Sequence, residues 1–214
     1  MLSNYFYYQI LAFWTNFMNI VSSTLLKTAL SASLLLSLPV MAAVPQKWKL
    51  DTPKTKVDFK VAYLGNGTVE GQFHNMDGSI HYDVKNPTST TVNFTVKTSS
   101  IDAGGNLRNA FLRRKELLNT AKYPTMRFVS KKVSMINAKE AHVTGDFTVL
   151  GKTKPLTVKV VLSDVKKDPK TARPFLNFQA IGKVNRLNYG VTAFPNMVGT
   201  VIPINITGQL VAAN

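Results

Sequence analysis

The sequence predicts an all-β protein, a closed antiparallel β-barrel with one short helix. From Thr55 onward, apolar and polar residues alternate with a period of two, as they do in half-buried strands. Gly, Pro and Asn residues separate these runs, and the connections are too short for the crossovers that parallel strands need. Since each run has one apolar face, the sheet has to close on itself or pack against a second sheet.

The alternating runs start with residues 57–63 and end near residue 206. Asp77-Gly78 stands between the second and third runs, and this dipeptide predicts the turn of a hairpin. The pattern as a whole predicts eight or more short strands, and the later ones are centred on Phe94, Phe128, Phe147, Val158, Phe178 and Ile204.

Residues 106–118 interrupt the alternation and predict the helix. Leu107, Phe111 and Leu118 fall on one face of a helix, whereas basic residues occupy its other sides. We therefore expect one helix over about residues 106–118 with one apolar face.

Residues 1–43 have the layout of a secretory signal peptide. Lys27 is the one ionisable side chain before Lys47, and an uncharged run of Leu, Ala and Ser follows it. This run is shorter than the roughly 20 apolar residues that cross a bilayer. Small residues end the segment, which predicts cleavage after Ala42 or Ala43 and leaves residues 44–214 as a single domain.

Residues 1–17 do not fit this layout, because they are uncharged and rich in aromatic side chains. A start at Met18 gives a signal peptide of ordinary length, and we expect this later start. The alternative is translation from Met1, with residues 5–26 anchoring the protein in a membrane.

The residue content argues against most catalytic and metal sites. The chain has no cysteine, which excludes disulfides, cysteine-zinc sites, iron–sulfur clusters and thiol nucleophiles. His74, His81 and His142 lie in different runs and lack metal-ligand spacing. Neither a Ser nucleophile elbow nor a phosphate-binding loop is present. We therefore predict no catalytic residues, no metal and no cofactor.

Charge is strongly positive, with 26 Lys and Arg residues against 11 Asp and Glu residues, a net charge of +15. The basic residues are spread along the chain and lie on the strand faces opposite the aromatic residues. Nucleic-acid binding calls for basic and stacking side chains on one surface, so no nucleic-acid partner is predicted. The two remaining interpretations are attraction to an anionic membrane surface and a merely solvated basic exterior.

The inward faces of the runs carry both large and small side chains. The aromatic ones would either line a long apolar pocket or fill the core. The glycines would either open a bore or serve as kinks in a barrel, and the pattern leaves both alternatives open. The aromatic residues are Phe59, Tyr63, Phe73, Phe94, Phe128, Phe147 and Phe178, and the glycines are Gly71, Gly145 and Gly182.

Along nearly its whole length after residue 43, the chain resembles the YceI-like family of secreted bacterial polyisoprenoid-binding proteins. No single motif carries the resemblance, but the order and spacing of several short motifs do. They include Leu50-Asp51, Ser100-Ile101-Asp102, Tyr123-Pro124, Gly145-x-Phe147, Thr153-Lys154-Pro155 and Arg186-x-x-x-Gly190.

The resemblance implies an eight-stranded, lipocalin-like antiparallel barrel with a helix beside it. It also implies a long apolar pore that holds a polyprenyl or similar long-chain lipid, a non-enzymatic carrier role, a periplasmic location and often a homodimer. With a bore implied, we predict that the aromatic and glycine residues above line it together with Phe111. Arg108, Arg113, Arg186 and Tyr189 are candidate polar contacts near the mouth; alternatively, Arg108 and Arg186 pair with carboxylates or carbonyls that close the barrel end.

The chain departs from the family pattern at several polar positions. Lys54-Thr55 replaces a usual His-Ser pair, Asn109 and Phe111 replace an Asp and a His in the helix motif, and Asn188 replaces a later Asp. We expect these changes to alter the preference for a lipid head group. The competing hypothesis is an envelope or membrane-surface interaction protein that acts through its basic exterior and has a filled core.

Overall fold

The computed structural model describes residues 47–82 and 86–213. The predicted signal peptide, residues 1–43 with its start at Met18, lies outside these residues. Within the two described ranges, no helix is both long enough and apolar enough to cross a membrane.

The described residues form eleven strands, one α-helix and three short 3-10 turns. The strands are β1 (Lys47–Tyr63), β2 (Gly67–Phe73), β3 (Met76–His81), β4 (Thr91–Lys97), β5 (Ile101–Asp102), β6 (Thr125–Met135), β7 (Glu140–Val149), β8 (Lys152–Leu162), β9 (Lys166–Lys167), β10 (Pro174–Asn185) and β11 (Val201–Ala212). The helix α1 is Asn106–Leu112, and the 3-10 turns are Pro87–Ser89, Thr98–Ser100 and Arg186–Tyr189.

The sheet closes because the long strand β1 pairs on both of its edges. One edge pairs with β11, and the other pairs with β3 near Trp48 and with β2 beyond Val57. Strands β2 and β3 thus share one position in the barrel. The remaining neighbours run β3-β4-β6-β7-β8-β10-β11, all antiparallel, while β5 and β9 add two-residue edges to β2 and β10. The predicted closed eight-stranded antiparallel barrel is confirmed.

Asp77-Gly78 is not a hairpin turn, contrary to the prediction. Both residues lie inside β3, where they pair with Thr95 and Phe94 of β4. A Cβ atom on Gly78 would lie 3.0 Å from the Phe94 ring. The glycine is needed for this close approach, and β2 and β3 follow one another along β1 instead of pairing together.

The helix is shorter than predicted, because it ends at Leu112. The chain then folds back, with the Leu118 amide donating to the Leu112 carbonyl over 3.1 Å, and Asn119 has a φ of 42°. This return places Leu112 and Leu118 against the same apolar cluster. Because the helix ends before Leu118, the predicted face of Leu107, Phe111 and Leu118 does not form; Leu107 is 90% exposed, and the buried helix residue is Asn109.

Strand directions define two ends of the barrel. At the end that we call the helix end lie Tyr63, α1 and the loop of residues 190–200. At the other, which we call the tryptophan end, lie Trp48, Thr90 and the loops of residues 136–139 and 163–165. Buried apolar residues of the inward strand faces form three clusters around the barrel interior.

Candidate functional site

The barrel encloses an apolar cavity of about 1100 Å³. Its wall includes Tyr63 and Phe111 at the helix end and Glu140 and Asp164 at the tryptophan end, so it runs the length of the barrel. Pockets for drug-sized ligands typically measure about 300–1000 Å³. The interior is therefore not filled by side chains, and the filled core of the competing hypothesis is wrong.

All eight predicted aromatic residues stand in the cavity wall. Neighbouring rings contact one another along it. The ring centres of Phe59 and Phe73 are 5.5 Å apart, and those of Phe147 and Tyr189 are 5.6 Å apart in a T-shaped arrangement. Their contact with a ligand stays a prediction. The eight residues are Phe59, Tyr63, Phe73, Phe94, Phe111, Phe128, Phe147 and Phe178.

The three inward glycines do not line the cavity, and this corrects the prediction for Gly71, Gly145 and Gly182. Each is covered by a side chain of a neighbouring strand. The Phe59 ring occupies the space of a Cβ on Gly71, and the Phe128 ring does the same at Gly145. Val158 and Ile204 cover Gly182. The glycines therefore let neighbouring side chains lie against the strands, and these side chains then do not project into the barrel centre.

Arg186 is buried, and all of its guanidinium hydrogen bonds go to backbone carbonyl oxygens. The bonds reach the loop carbonyls of Val191 (2.6 Å), Ala193 (2.9 Å), Phe194 (3.4 Å), Val198 (2.9 Å) and Gly199 (3.0 Å). Arginine suits this position because it offers five N–H donors in a planar fork. The side chain thus fixes the loop of residues 190–200, as the carbonyl alternative predicted, and has no donor left for a ligand.

The other three mouth candidates also lie at the helix end, with different surroundings. Arg108 borders the cavity and donates to the Ala103 carbonyl over 2.5 Å. Arg113 donates to the Ile101 carbonyl over 3.1 Å and stands outside the cavity wall. Tyr189 is buried in the wall, and this burial raises the pKa of its hydroxyl, which stays neutral.

A polar network beside the cavity explains the buried Asn109. Its amide nitrogen donates to Asp102 over 2.9 Å, and its amide oxygen accepts from the Ala103 backbone over 2.7 Å. The Asn109 hydrogen bond is the main cause that lowers the pKa of Asp102, followed by bonds from the Gly104 amide and His74. Asn109 therefore fixes the loop that leads into α1.

Among the departures named above, at Lys54-Thr55, Asn109, Phe111 and Asn188, one borders the cavity. Phe111 borders it, whereas Lys54, Asn109 and Asn188 do not. Lys54 instead donates to Gln209 over 2.8 Å. The expectation that these departures change ligand preference can therefore hold directly for Phe111 alone.

Trp48 and Thr90 are among the cavity residues that the sequence did not predict. Both line the cavity, and Trp48 is 2% exposed. The six β1 residues from Asp51 to Lys56 lie opposite only three residues of β11, from Gln209 back to Thr207, and this bulge switches which alternate residues of β1 point inward. Even-numbered residues of β1 point inward before the bulge and odd-numbered ones after it. The alternation after Thr55 therefore does not predict that Trp48 points inward.

Apolar side chains at the helix end form an exposed surface, which we call the mouth patch. Phe111 lies 5.8 Å from Phe194, and Leu107 stands one helical turn from Phe111. The Leu64 amide donates to the Met197 carbonyl, which brings the β1 end to the same place. The mouth patch consists of Leu64, Leu107, Phe111, Phe194 and Met197, each exposed by 39% or more.

Titratable residues form no second kind of site in the part of the chain that the structure describes. Within it, no three His, Asp or Glu side chains come together as potential metal ligands. His74 is paired with Asp102 at 3.4 Å and belongs to the Asn109 network.

Comparisons with known proteins agree with this geometry. The chain is 34% identical over 160 residues to Protein YceI of Escherichia coli O6:H1, an alignment that covers 75% of this chain and 83% of that protein. Its fold matches that of BcnA from Burkholderia cenocepacia with a TM-score of 0.67 and 22% identity, covering 77% of this chain and 99% of BcnA. It also matches a polyisoprenoid binding domain from Saccharophagus degradans, implicated in plant cell wall breakdown, with a TM-score of 0.62 and 13% identity, covering 79% of this chain and 100% of that domain. A YceI-like domain model matches residues 48–210, and the chain belongs to the YceI-like family.

Proposed function

We propose that this protein is a non-catalytic carrier of a long-chain apolar lipid of the polyisoprenoid class. The observation that carries the proposal is the apolar cavity of about 1100 Å³ that runs from one barrel end to the other. The structural relative from Saccharophagus degradans is described as a polyisoprenoid binding domain, which supports this ligand class.

The energetics of such a cavity favour a long hydrocarbon chain. Burial gains about 0.8 kcal/mol per methylene, so about twenty carbons gain on the order of 16 kcal/mol, against association costs of roughly 4–15 kcal/mol. The gain requires no charged group, and the eight aromatic residues of the wall carry none. Sequestration from water is therefore the mechanism that we propose.

The mouth patch suggests where the lipid is exchanged. The segment of residues 104–122, which contributes Leu107 and Phe111 to the patch, carries one acidic residue, Glu116, and five basic residues: Arg108, Arg113, Arg114, Lys115 and Lys122. The Arg114 guanidinium lies 5.5 Å from the centre of the Phe111 ring. Exposed apolar side chains among basic ones suit an anionic bilayer, and basic residues near such a surface contribute about 1 kcal/mol each. We infer that the helix end docks on anionic membranes.

The carrier proposal is tested by filling the cavity. Ala180 lines the cavity, whereas Ile181 beside it points outward and is 47% exposed. We expect Ala180→Phe to lower polyprenol occupancy at least tenfold by native mass spectrometry of delipidated protein, and Ile181→Phe to leave it unchanged. Wild-type protein that takes up no polyprenol would overturn the carrier function. Circular dichroism checks that both variants fold.

Secretion and assembly complete the proposal. We infer a periplasmic protein, released by removal of residues 1–43, and N-terminal sequencing of the fractionated protein should find Ala43 or Val44 first. A homodimer is the assembly that the family resemblance suggests. Sedimentation equilibrium of the mature protein, with and without lipid, would show twice the monomer mass if it forms.

A further inference from the structure

Two polar atoms at the tryptophan end lack partners. In the described ranges, Trp48 Nε1 and Thr90 Oγ1 are the side-chain polar atoms that are fully enclosed and make no hydrogen bond. Buried polar groups in folded proteins are almost always hydrogen-bonded, and each exception calls for an explanation. An unmade bond to a ligand is one such explanation.

Both residues border the same part of the cavity. Trp48 pairs with Ile80, Ile80 pairs with Val92, and Thr90 precedes Val92 by two residues on the same inward face. Both side chains belong to the cavity wall. The two residues thus border one region of the cavity, but their polar atoms are enclosed, so a ligand oxygen there bonds them only after the side chains turn toward the cavity. Since an indole N–H can only donate, the ligand must supply an acceptor.

Charges at this end argue against an anionic ligand. Asp164 and Glu140 border the cavity, and each is matched by one lysine. Lys139 lies 2.7 Å from Asp164, and Lys159 lies 3.1 Å from Glu140. The Lys139 hydrogen bond lowers the pKa of Asp164, so its carboxylate is charged at neutral pH. Lys139 also borders the cavity but is engaged by Asp164, so a phosphate would have to compete for it beside two carboxylates, whereas an uncharged oxygen would not be repelled.

We propose that the tryptophan end binds the head group of the lipid, an uncharged hydroxyl or carbonyl oxygen that accepts a hydrogen bond from Trp48 Nε1 and contacts the Thr90 hydroxyl. The hydrocarbon tail then runs toward the helix end. This inference rests on the proposed carrier function. It reverses the expectation that polar contacts lie at the mouth with Arg108, Arg186 and Tyr189.

The test measures whether the oxygen of the ligand and the N–H of Trp48 contribute to binding together. Delipidated protein is titrated with geranylgeraniol and with the hydrocarbon of the same skeleton that lacks the oxygen. Trp48→Phe keeps a ring but removes the N–H, so we expect it to weaken alcohol binding about tenfold relative to hydrocarbon binding, equal to about 1.4 kcal/mol. Thr90→Val should act in the same direction and serves if Trp48→Phe does not fold. Thr91→Val, on the exposed face of β4, is the matched control.

The opposite orientation gives a different result. If Tyr189→Phe, at the helix end, shifts the alcohol-to-hydrocarbon ratio and Trp48→Phe does not, the head lies at the helix end and the inference is overturned. Tighter binding of geranylgeranyl diphosphate than of the alcohol would also overturn it. Wild-type protein that binds none of the three probes would instead contradict the carrier function itself.

Discussion

At the scale of single residues, the network around Asp102 shows how one amide organises a loop. Asn109 donates to the Asp102 carboxylate and accepts from the Ala103 amide, so both ends of its side chain are used. An aspartate at position 109, the residue that the family pattern usually has, would bring two carboxylates together. The asparagine of this chain removes that repulsion and keeps the pKa of Asp102 low.

This network predicts a pH-dependent loss of stability in Asn109→Asp. Two adjacent carboxylates raise the pKa of one of them, so the folded variant binds more protons than the unfolded chain, and its stability falls as pH rises. In the wild type the sign is opposite: the lowered pKa of Asp102 stabilises above about pH 4, and this contribution is lost below it. We expect Asn109→Asp to melt about 3–8 °C lower at pH 7.

Thermal melts between pH 4 and 8 measure the effect, and the deficit should shrink toward pH 4. Asn106→Asp is the matched control, since Asn106 is exposed in the first turn of α1, where a negative charge is favourable. Equal destabilisation by both substitutions would mean that the added charge matters, and the contact to Asp102 does not.

At the scale of secondary-structure elements, the barrel depends on close contacts between strands and side chains. Gly145 lies against the backbone carbonyl of Val129 and the Phe128 ring, whereas Gly182 faces the ends of Val158 and Ile204. A backbone carbonyl in a sheet cannot move aside, but a methyl group at the end of a side chain can. The two glycines therefore differ in how much they tolerate a side chain.

We predict that Gly145→Ala destabilises the barrel more than Gly182→Ala. Overpacking of a well-packed site costs about 1–3 kcal/mol, and we place Gly145→Ala at the upper part of this range and Gly182→Ala at about 1 kcal/mol or less. Urea unfolding monitored by circular dichroism measures both free energies. An equal loss in the two variants would show that strand packing yields at both positions alike.

The elements also show what the sequence can and cannot predict. The barrel follows from alternation, because a side-chain period of two places Val57 and Phe59 on the same face. The end of α1 could not be predicted from the sequence. Leu118 reaches the core because the chain folds back after Leu112, although its position in the sequence also fits a continuous helix. The unpartnered nitrogen of Trp48 could not be predicted either, because a hydrogen bond depends on neighbours from β3 and β11.

At the scale of the whole molecule, exposed apolar side chains occur at both ends of the barrel, but their surroundings differ. The mouth patch has five basic residues and one acidic residue in the adjoining segment. At the tryptophan end Ile136 is 47% exposed, and Lys139 and Lys159 are paired with Asp164 and Glu140. An anionic bilayer should therefore select the helix end.

We predict that Leu107→Asp weakens membrane binding about tenfold, because it puts a charge on the most exposed side chain of the mouth patch. Ile136→Asp makes the same chemical change at the opposite end and should have little effect. Cosedimentation with vesicles of phosphatidylcholine and 30% phosphatidylglycerol measures the affinity, which should fall with added salt. Equal weakening by both substitutions would contradict docking through the helix end.

The pairing of β1 with β11 has a consequence for how the protein acquires its shape. These strands come from near opposite ends of the chain, and the Ala213 amide still donates to the Lys47 carbonyl. Contacts so distant along the chain form slowly, because a large loop must be ordered before they form. We therefore expect this seam to join late in folding and the interior volume to close with it. A lipid present at that step would be enclosed as the wall forms around it, without ever passing through an opening.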